Sequence, residues 1–349
     1  MAQVVEHLAE LTGFRDRDIL DVSLVAALRD LLQPISVAIY RCVGPPGQQR
    51  WLMRARLGHG DAVATADPLG SDLDSLPALA AHAARFACVL SQRPLLLPPS
   101  AGQPALARFP LTTEHEVVGV LEIENTGPLP DDQQRTVCAM LRIYCNFQGL
   151  LDYSERDTLT GLLNRKTFDE NFMRLARVVP PDTPTAGASV ALPARRIGVD
   201  GGPWLGVVDI DHFKKVNDNH GHLIGDEVLL LLARLMRSSF RFHDHLYRFG
   251  GEEFVVLLRC AGPVDAATAF ERLRGNVEGF GFPRVGCITV SVGFTEVRPG
   301  DTPSSAFERA DKAVYHAKQN GRNRVSDHAV LVAKGLLAEE SRDSDVELF

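Results

Sequence analysis

Residues 19–32 (ILDVSLVAALRDLL) carry apolar side chains at helical spacing, and Pro34 stops the pattern, so an amphipathic helix is predicted there. Short β-like runs follow at 36–43, 51–57 and 94–97, then a pair at 108–112 and 116–124, all separated by Gly- and Pro-rich turns. With a second helix near 76–90, residues 1–130 read as a small α+β domain. Pro130 and Asp131 open an uninterrupted helical stretch, 131–156, in which Met140, Ile143, Phe147 and Leu150 recur at steps of three and four. That is the seam of a two-stranded coiled coil. Equally, Val137, Leu141, Tyr144 and Leu151 widen the apolar face enough for a terminal helix packed on its own domain. Its place between two domains favours a dimerising linker.

A helix through about residue 177 is followed by a Pro/Gly/Ala-rich stretch, 178–203, with the composition of a surface loop. From Trp204 onward strands and helices alternate: strand 204–210, helix 223–239, hairpin 246–258, helix 263–278, strand 286–297, helix 304–320, strand 322–326. This predicts a sheet covered by helices over 157–326, and a two-domain α+β / α/β chain as a whole. The acidic end of 327–349 predicts a partly disordered tail.

The 349 residues, 45% of them hydrophobic, suffice for two cores. The net charge of −7 and the lack of any Lys/Arg stripe exclude a nucleic-acid-binding role. An anionic ligand would need local cations or a metal. The six cysteines are scattered, with neither CxxC nor zinc-type spacing, which fits a reducing cytoplasm. No apolar run is long enough to cross a bilayer, because the best candidates are broken by His82, Arg85 and Arg93. Glu6, His7 and Glu10 also depart from a secretion signal, so a cytoplasmic protein without a membrane segment is expected.

The run WLGVVDIDHFKKVND (204–218) is an apolar strand ending in Asp209 and Asp211, at the kind of strand end where α/β folds place ligands. Alternation puts both acids on one side of the strand and Ile210 on the other, and carboxylates suit a hard cation such as Mg2+. Taken alone, solvated turn residues explain them as well. The hairpin LYRFGGEEFVVLL (246–258) adds Gly250 and Gly251, which permit positive φ and close approach of a phosphate, and then Glu252 and Glu253. If these acids faced Asp209 across a sheet, they would complete an oxygen cage for the metal.

GGEEF at 250–254, DIDHFKKVND at 209–218, DTLTGLLNR at 157–165, GHLIGDEVL at 221–229 and ADKAVYHAKQNGRNRV at 310–325 together resemble the diguanylate cyclase (GGDEF) family. Five blocks in order over about 155–326 are far more specific than GGEEF alone. The N-terminal pattern, ending in GVLEIEN, resembles a GAF domain. The first resemblance implies an enzyme condensing two GTP into cyclic di-GMP, with Mg2+ or Mn2+ held by Asp209, the Ile210 carbonyl, Glu252 and Glu253. Glu252 would act as base for the 3′-hydroxyl with Glu253 beside it. It further implies Asn217 and Asp226 as guanine readers with His222 alongside, Gly250 and Gly251 admitting phosphates, and Lys214, Lys318 and Arg322 holding them. Two domains must face each other in a homodimer, which the linker would control.

Arg241 and Asp244 form an RxxD motif at the spacing of that family's inhibitory site, where cyclic di-GMP would bind with Arg272 from a neighbouring helix. Simpler roles compete. Asp226 can cap a helix, His212, His220 and His222 lack a further ligand for a transition metal, Lys318 and Arg322 suit a helix C-terminus, and Arg/Asp pairs at i, i+3 are common on surfaces. The insertion at 178–203 departs from the family pattern. The alternatives to cyclase activity are a catalytically silent sensor of GTP or cyclic di-GMP, which loss of a GGEEF acid would favour, and a mixed cyclic dinucleotide synthase, against which Asp226 argues. Cys42, Cys88, His59 and His82 lie in no ligand motif, and the N-terminal ligand stays open.

Overall fold

The computed structural model describes residues 6–338 except 8, 10, 12, 14, 15, 69, 70, 101, 114, 115 and 177–200, with the backbone alone for 174–176. The chain divides between Ser154 and Glu155 into two compact units.

In the first unit α1 (Arg17–Leu32) is capped by Asp16, whose carboxylate accepts the Asp18 N–H at 2.8 Å. Strands β1 (Ser36–Val43) and β2 (Arg50–Gly58) follow, then α2 (Ala83–Ser91), β3 (Leu95–Leu97), β4 (Ala105–Thr112) and β5 (Val117–Asn125). They form an antiparallel sheet in the order β2-β1-β5-β4-β3. Alternation sends Val37, Ile39, Phe109, Leu121 and Ile123 to one face, where they pack with Leu20, Leu24 and Leu28 of α1. Helix α3 (Asp131–Glu155) adds Val137, Met140, Leu141, Tyr144 and Leu151 to the same core. The anticipated seam is therefore split. Met140 is buried and Phe147 packs on the core, whereas Ile143, Leu150 and Tyr153 are exposed at 37%, 66% and 79%.

The second unit contains β6 (Leu163–Asn164), α4 (Arg165–Ala176), β7 (Gly202–Ile210), α5 (Phe213–His220), α6 (His222–Ser239), β8 (His245–Gly250), β9 (Glu253–Cys260) and α7 (Pro263–Glu278). A small hairpin, β10 (Gly281–Phe282) and β11 (Gly286–Cys287), precedes β12 (Val290–Glu296), α8 (Pro303–Gln319), β13 (Val325–Asp327) and α9 (His328–Ala333). The sheet order β13-β12-β7-β9-β8-β6 makes β7 central. Even-numbered Trp204, Val208 and Ile210 of β7 face a core shared with Val228 and Leu232 of α6 and Phe270 and Leu273 of α7. Odd-numbered Leu205 and Val207 face Ala306, Ala310 and Val314 of α8 and Phe168 and Phe172 of α4. Asp209 continues the odd series, so the α8 face receives it.

Three expectations change. The strand read from Trp204 begins at Gly202, so 178–203 is not loop throughout, and 177–200 lie outside the described residues. The tail read from 327 instead continues the fold. Asp327 caps α9 through the Ala329 N–H, and His328 and Leu331 are buried, so that segment has a reason to stay ordered; 339–349 lie outside the described residues. A separate helix, α5, also stands where no element was assigned.

The close approach of α8 to β12 depends on Gly293, because a Cβ there would lie 2.2 Å from the Ala310 carbonyl oxygen and 2.3 Å from the Val314 nitrogen. Gly293→Ala is expected to destabilise the second unit by about 1–3 kcal/mol, whereas Gly275→Ala in α7, with nothing within 4 Å of its Cβ, should stabilise it by about 0.5–1 kcal/mol. Urea midpoints followed through buried Trp204 compare the two.

Candidate active site

Asp209 ends the odd face of β7 and pairs with Glu253 on β9 in the antiparallel ladder, while Ser291 of β12 is its partner on the other side. Glu252 belongs to the turn between β8 and β9, where Gly250 and Gly251 have φ of 145° and 53°. Those angles suit glycine, and a Cβ on either would find open space within 4 Å. The bend is thus open beside both glycines. Arg248 holds it in place, donating from Nε and Nη2 to the Gly251 carbonyl at 3.2 and 2.9 Å and from Nη1 to Asp157 at 3.1 Å. Asp157 also accepts from the Thr160 N–H at 2.8 Å, which explains the DTLTGL block as a brace for the glycine turn.

Lys318, near the end of α8, places Nζ 2.8 Å from Asp209 Oδ2. Burial pushes the Asp209 carboxyl up, and Asp211 and Asp311 add to this against the pull of Lys318. Burial followed by Asp209 raises both Glu252 and Glu253. Asp311 adds to the rise at Glu253, so it is a fourth acid of this neighbourhood. Oxygen-only donors of this kind are of the type that suits a hard divalent ion. Among the described residues no three Asp, Glu, His or Cys side chains stand close enough together to hold a metal, and Lys318 takes the place of a cation on Asp209.

Asp211, which alternation places on the same side as Asp209, is held by partners of its own. It is buried beyond the end of the strand, accepting from Thr289 Oγ1 at 2.6 Å, Ser291 Oγ at 2.7 Å and the Asn323 N–H at 3.0 Å. It anchors the segment that carries Arg322, which is half-buried with φ 60°. Ile210, the last residue of β7, is buried.

Asn217 on α5 and Asp226 on α6 flank the tight connection at Gly221. Gly225 permits the approach, since a Cβ there would sit 2.0 Å from Asn217 Oδ1. Asp226 is exposed in the second turn of α6, whose N-cap is Gly221, so the capping role is ruled out. His222 and Lys214 are exposed. A cavity of about 230 Å³ between α5 and the β11–β12 connection, lined by His212, Lys215, His220 and Thr289, contains none of the acids assigned to the metal.

The RxxD residues also meet. The Arg241 N–H donates to Asp244 Oδ2 at 2.9 Å, and Arg272 Nε donates to the Ser239 carbonyl at 2.7 Å, near enough for both arginines to lower the Asp244 carboxyl. Burial outweighs them and pushes it up to about 6. The Arg241 side chain is exposed.

Residues 204–324 match the family model described as "Diguanylate cyclase, GGDEF domain". The second unit contains a GGDEF domain. The chain is similar to diguanylate cyclase DgcP of Pseudomonas aeruginosa, 41% identical over 172 residues, covering 48% of this chain and 23% of that protein. It is similar also to diguanylate cyclase DgcZ of Escherichia coli, 35% identical over 174 residues, covering 49% of this chain and 52% of that protein. This chain thus spans about half or less of the length of these curated relatives. Among solved structures, the GGDEF domain of DgcB from Caulobacter crescentus in complex with c-di-GMP is 34% identical, with 50% of this chain and 93% of that one covered and a TM-score of 0.42. No helix among the described residues is long and apolar enough to cross a membrane.

The raised Asp244 makes the GGDEF domain's stability pH-dependent. Its ordinary value is 3.8, so the fold bears a cost above about pH 6 that fades as pH falls through 6 toward 3.8. Asp244→Asn should therefore raise the melting temperature at pH 8 and leave it nearly unchanged at pH 4, as read by thermal denaturation at both values.

Proposed function

We propose that this chain is a diguanylate cyclase that condenses two GTP into cyclic di-GMP. The observation that carries this reading is the register of β7 against β9, which sets Asp209 directly opposite Glu253 beside the open glycine turn, with Lys318 at hand. Each 3′-oxygen bonds to the α-phosphorus of the other GTP, each bond from α-phosphorus to pyrophosphate breaks, and two pyrophosphates and two protons leave.

Asp209, the Ile210 carbonyl, Glu252 and Glu253 would hold Mg2+ or Mn2+, which when bound polarises the α-phosphate and neutralises charge on the triphosphate. Glu252, its carboxyl raised by burial and by Asp209, is suited to accept the 3′-hydroxyl proton, and Glu253 sustains its basicity. Gly250 and Gly251 admit phosphate oxygens, and Lys318, Arg322 and Lys214 neutralise them. Asn217 and Asp226 pair with the donors and acceptor of the guanine edge, with His222 beside them. Arg241, Asp244 and Arg272 bind cyclic di-GMP as an inhibitory site.

One domain holds one GTP, so the active form is a homodimer with two GGDEF domains face to face. The apolar residues left exposed on α3, Ile143, Leu150 and Tyr153, supply a self-complementary stripe for that association. The order of helices and strands in the first unit supports a GAF-like sensory domain.

Purified chain stripped of bound nucleotide, incubated with GTP and Mg2+, should yield cyclic di-GMP and pyrophosphate by chromatography, and ATP should not substitute. No pyrophosphate would leave the sensor reading in its place. Glu252→Gln should lower kcat by about 100-fold or more with little change in KM, whereas Asp226→Ala should act chiefly on KM for GTP.

A further inference from the structure

The face of the N-terminal sheet opposite α1 and α3 holds a buried charge imbalance. Alternation sends Leu121 and Ile123 of β5 into the main core and leaves Val120 and Glu122 on the other side, where Val120 packs with Trp51 and Cys88. Glu122 is 6% exposed and accepts from Arg85 Nε and Nη2 at 3.1 and 2.8 Å. Arg108, its cross-strand partner on β4, donates to it from Nε at 2.6 Å. The Arg85 guanidinium also lies over the Tyr40 ring, 3.5 Å from its centroid. One carboxylate therefore serves two guanidinium groups. Arg108 is only 8% exposed, and its Nη1 is buried without a hydrogen-bond partner.

Among the described residues nothing adjacent cancels the surplus charge. Burial raises the Tyr40 phenol, and the Cys88 thiol is pushed up to about 11, so both stay neutral. His82 is pushed down by burial and by Arg85, so it is uncharged at neutral pH. Glu124 is engaged by Ser36 Oγ at 2.7 Å and by Arg56 at 3.5 Å, which balances its charge. An uncompensated buried charge is costly, and a guanidinium with an unpaired N–H group is well shaped to recover that cost from an oxyanion. The cover over this face is thin. Helix α2 packs on β4 and β5 with only Cys88 fully buried and leaves Leu90 exposed at 69%.

We propose that the N-terminal unit binds a small oxyanion, a carboxylate or phosphate group, between α2 and the sheet, with Arg108 as principal donor and Arg85 and Tyr40 beside it. The site gives the sensory domain a ligand class that is independent of the GTP chemistry of the second unit.

Trp51 shares the cluster and reports on it. The full-length chain is titrated at constant ionic strength with inorganic phosphate and, separately, with acetate, following tryptophan fluorescence and melting temperature. A saturable response to at least one probe is expected, and the responding arm separates phosphate from carboxylate ligands. Arg108→Leu should weaken it by about tenfold or more. Arg108→Lys, which keeps the charge without the fork, should fold as wild type and bind more weakly. Lys318→Ala/Arg322→Ala should leave the response intact, which removes phosphate at the GTP site as its source. Flat titrations with both probes, or equal responses in wild type and both Arg108 variants, would overturn the proposal.

Discussion

Asp209 and Glu253 are locked opposite each other by the ladder between β7 and β9, with Glu252 in the adjoining turn and Asp311 on α8 acting on the same carboxylates. Like charges facing across a sheet repel, and burial makes the repulsion larger. The ladder holds them because β7 is central, its even face packed against α6 and α7 and its odd face against α4 and α8. With Lys318 as their close cationic partner, the acids form an electrostatic demand that the proposed metal and triphosphate would meet.

Much of the surrounding polar structure acts to hold that demand in place. Arg248 joins the glycine turn to Asp157, so a block about 90 residues earlier in the chain fixes the bend. Asp211 ties the Asn323 segment to β7 and β12. Arg309, 5% exposed, grips Asp301 through two bonds of 2.9 and 2.6 Å and donates to the Glu296 carbonyl, which sets α8 against the sheet so that Lys318 reaches Asp209. These residues touch no substrate in the proposed reaction. Their work is to keep charged groups at fixed separations, where small displacements would change the field most.

The two faces of the N-terminal sheet treat charge differently. On the core side Asp21, 2% exposed, meets Arg41 and Arg54 and accepts from the Tyr144 hydroxyl, while Arg41 also donates to Gln148 at 2.6 Å. Burial would raise the Asp21 carboxyl, yet the two arginines hold it below its usual range. With Asp18 also paired to Arg54, that network is balanced, and it fastens α3 to α1 and the sheet. The α2 side carries the unbalanced set around Arg108. A balanced network gives rigidity, whereas a surplus charge under a thin helix gives capacity to respond.

Period and punctuation made most helices and longer strands legible, because runs such as 19–32 and 204–210 bury one face whatever surrounds them. The two-residue strands β6, β10 and β11 have no period to read, and α5 was hidden in a motif read for its acids. At 131–156 the sequence supported two faces of one helix, and contact with the sheet decided that Val137, Leu141, Tyr144 and Leu151 lie inside while Ile143 and Leu150 remain outside. Asp209 and Asp211 show the same limit more sharply. Their spacing makes them equivalent in sequence, but the ladder ends between them, so one continues the α8 face and the other turns to Thr289, Ser291 and Asn323. Arg248, Asp311 and Arg108 carried no local signal because each matters through partners distant in the chain. By itself the sequence determined most of the longer helices and strands and which motif residues are candidates, since those follow from local propensity and spacing. Only the tertiary structure decided which charges share a site, because electrostatic energy depends on distance and burial, and neither exists before the chain is packed.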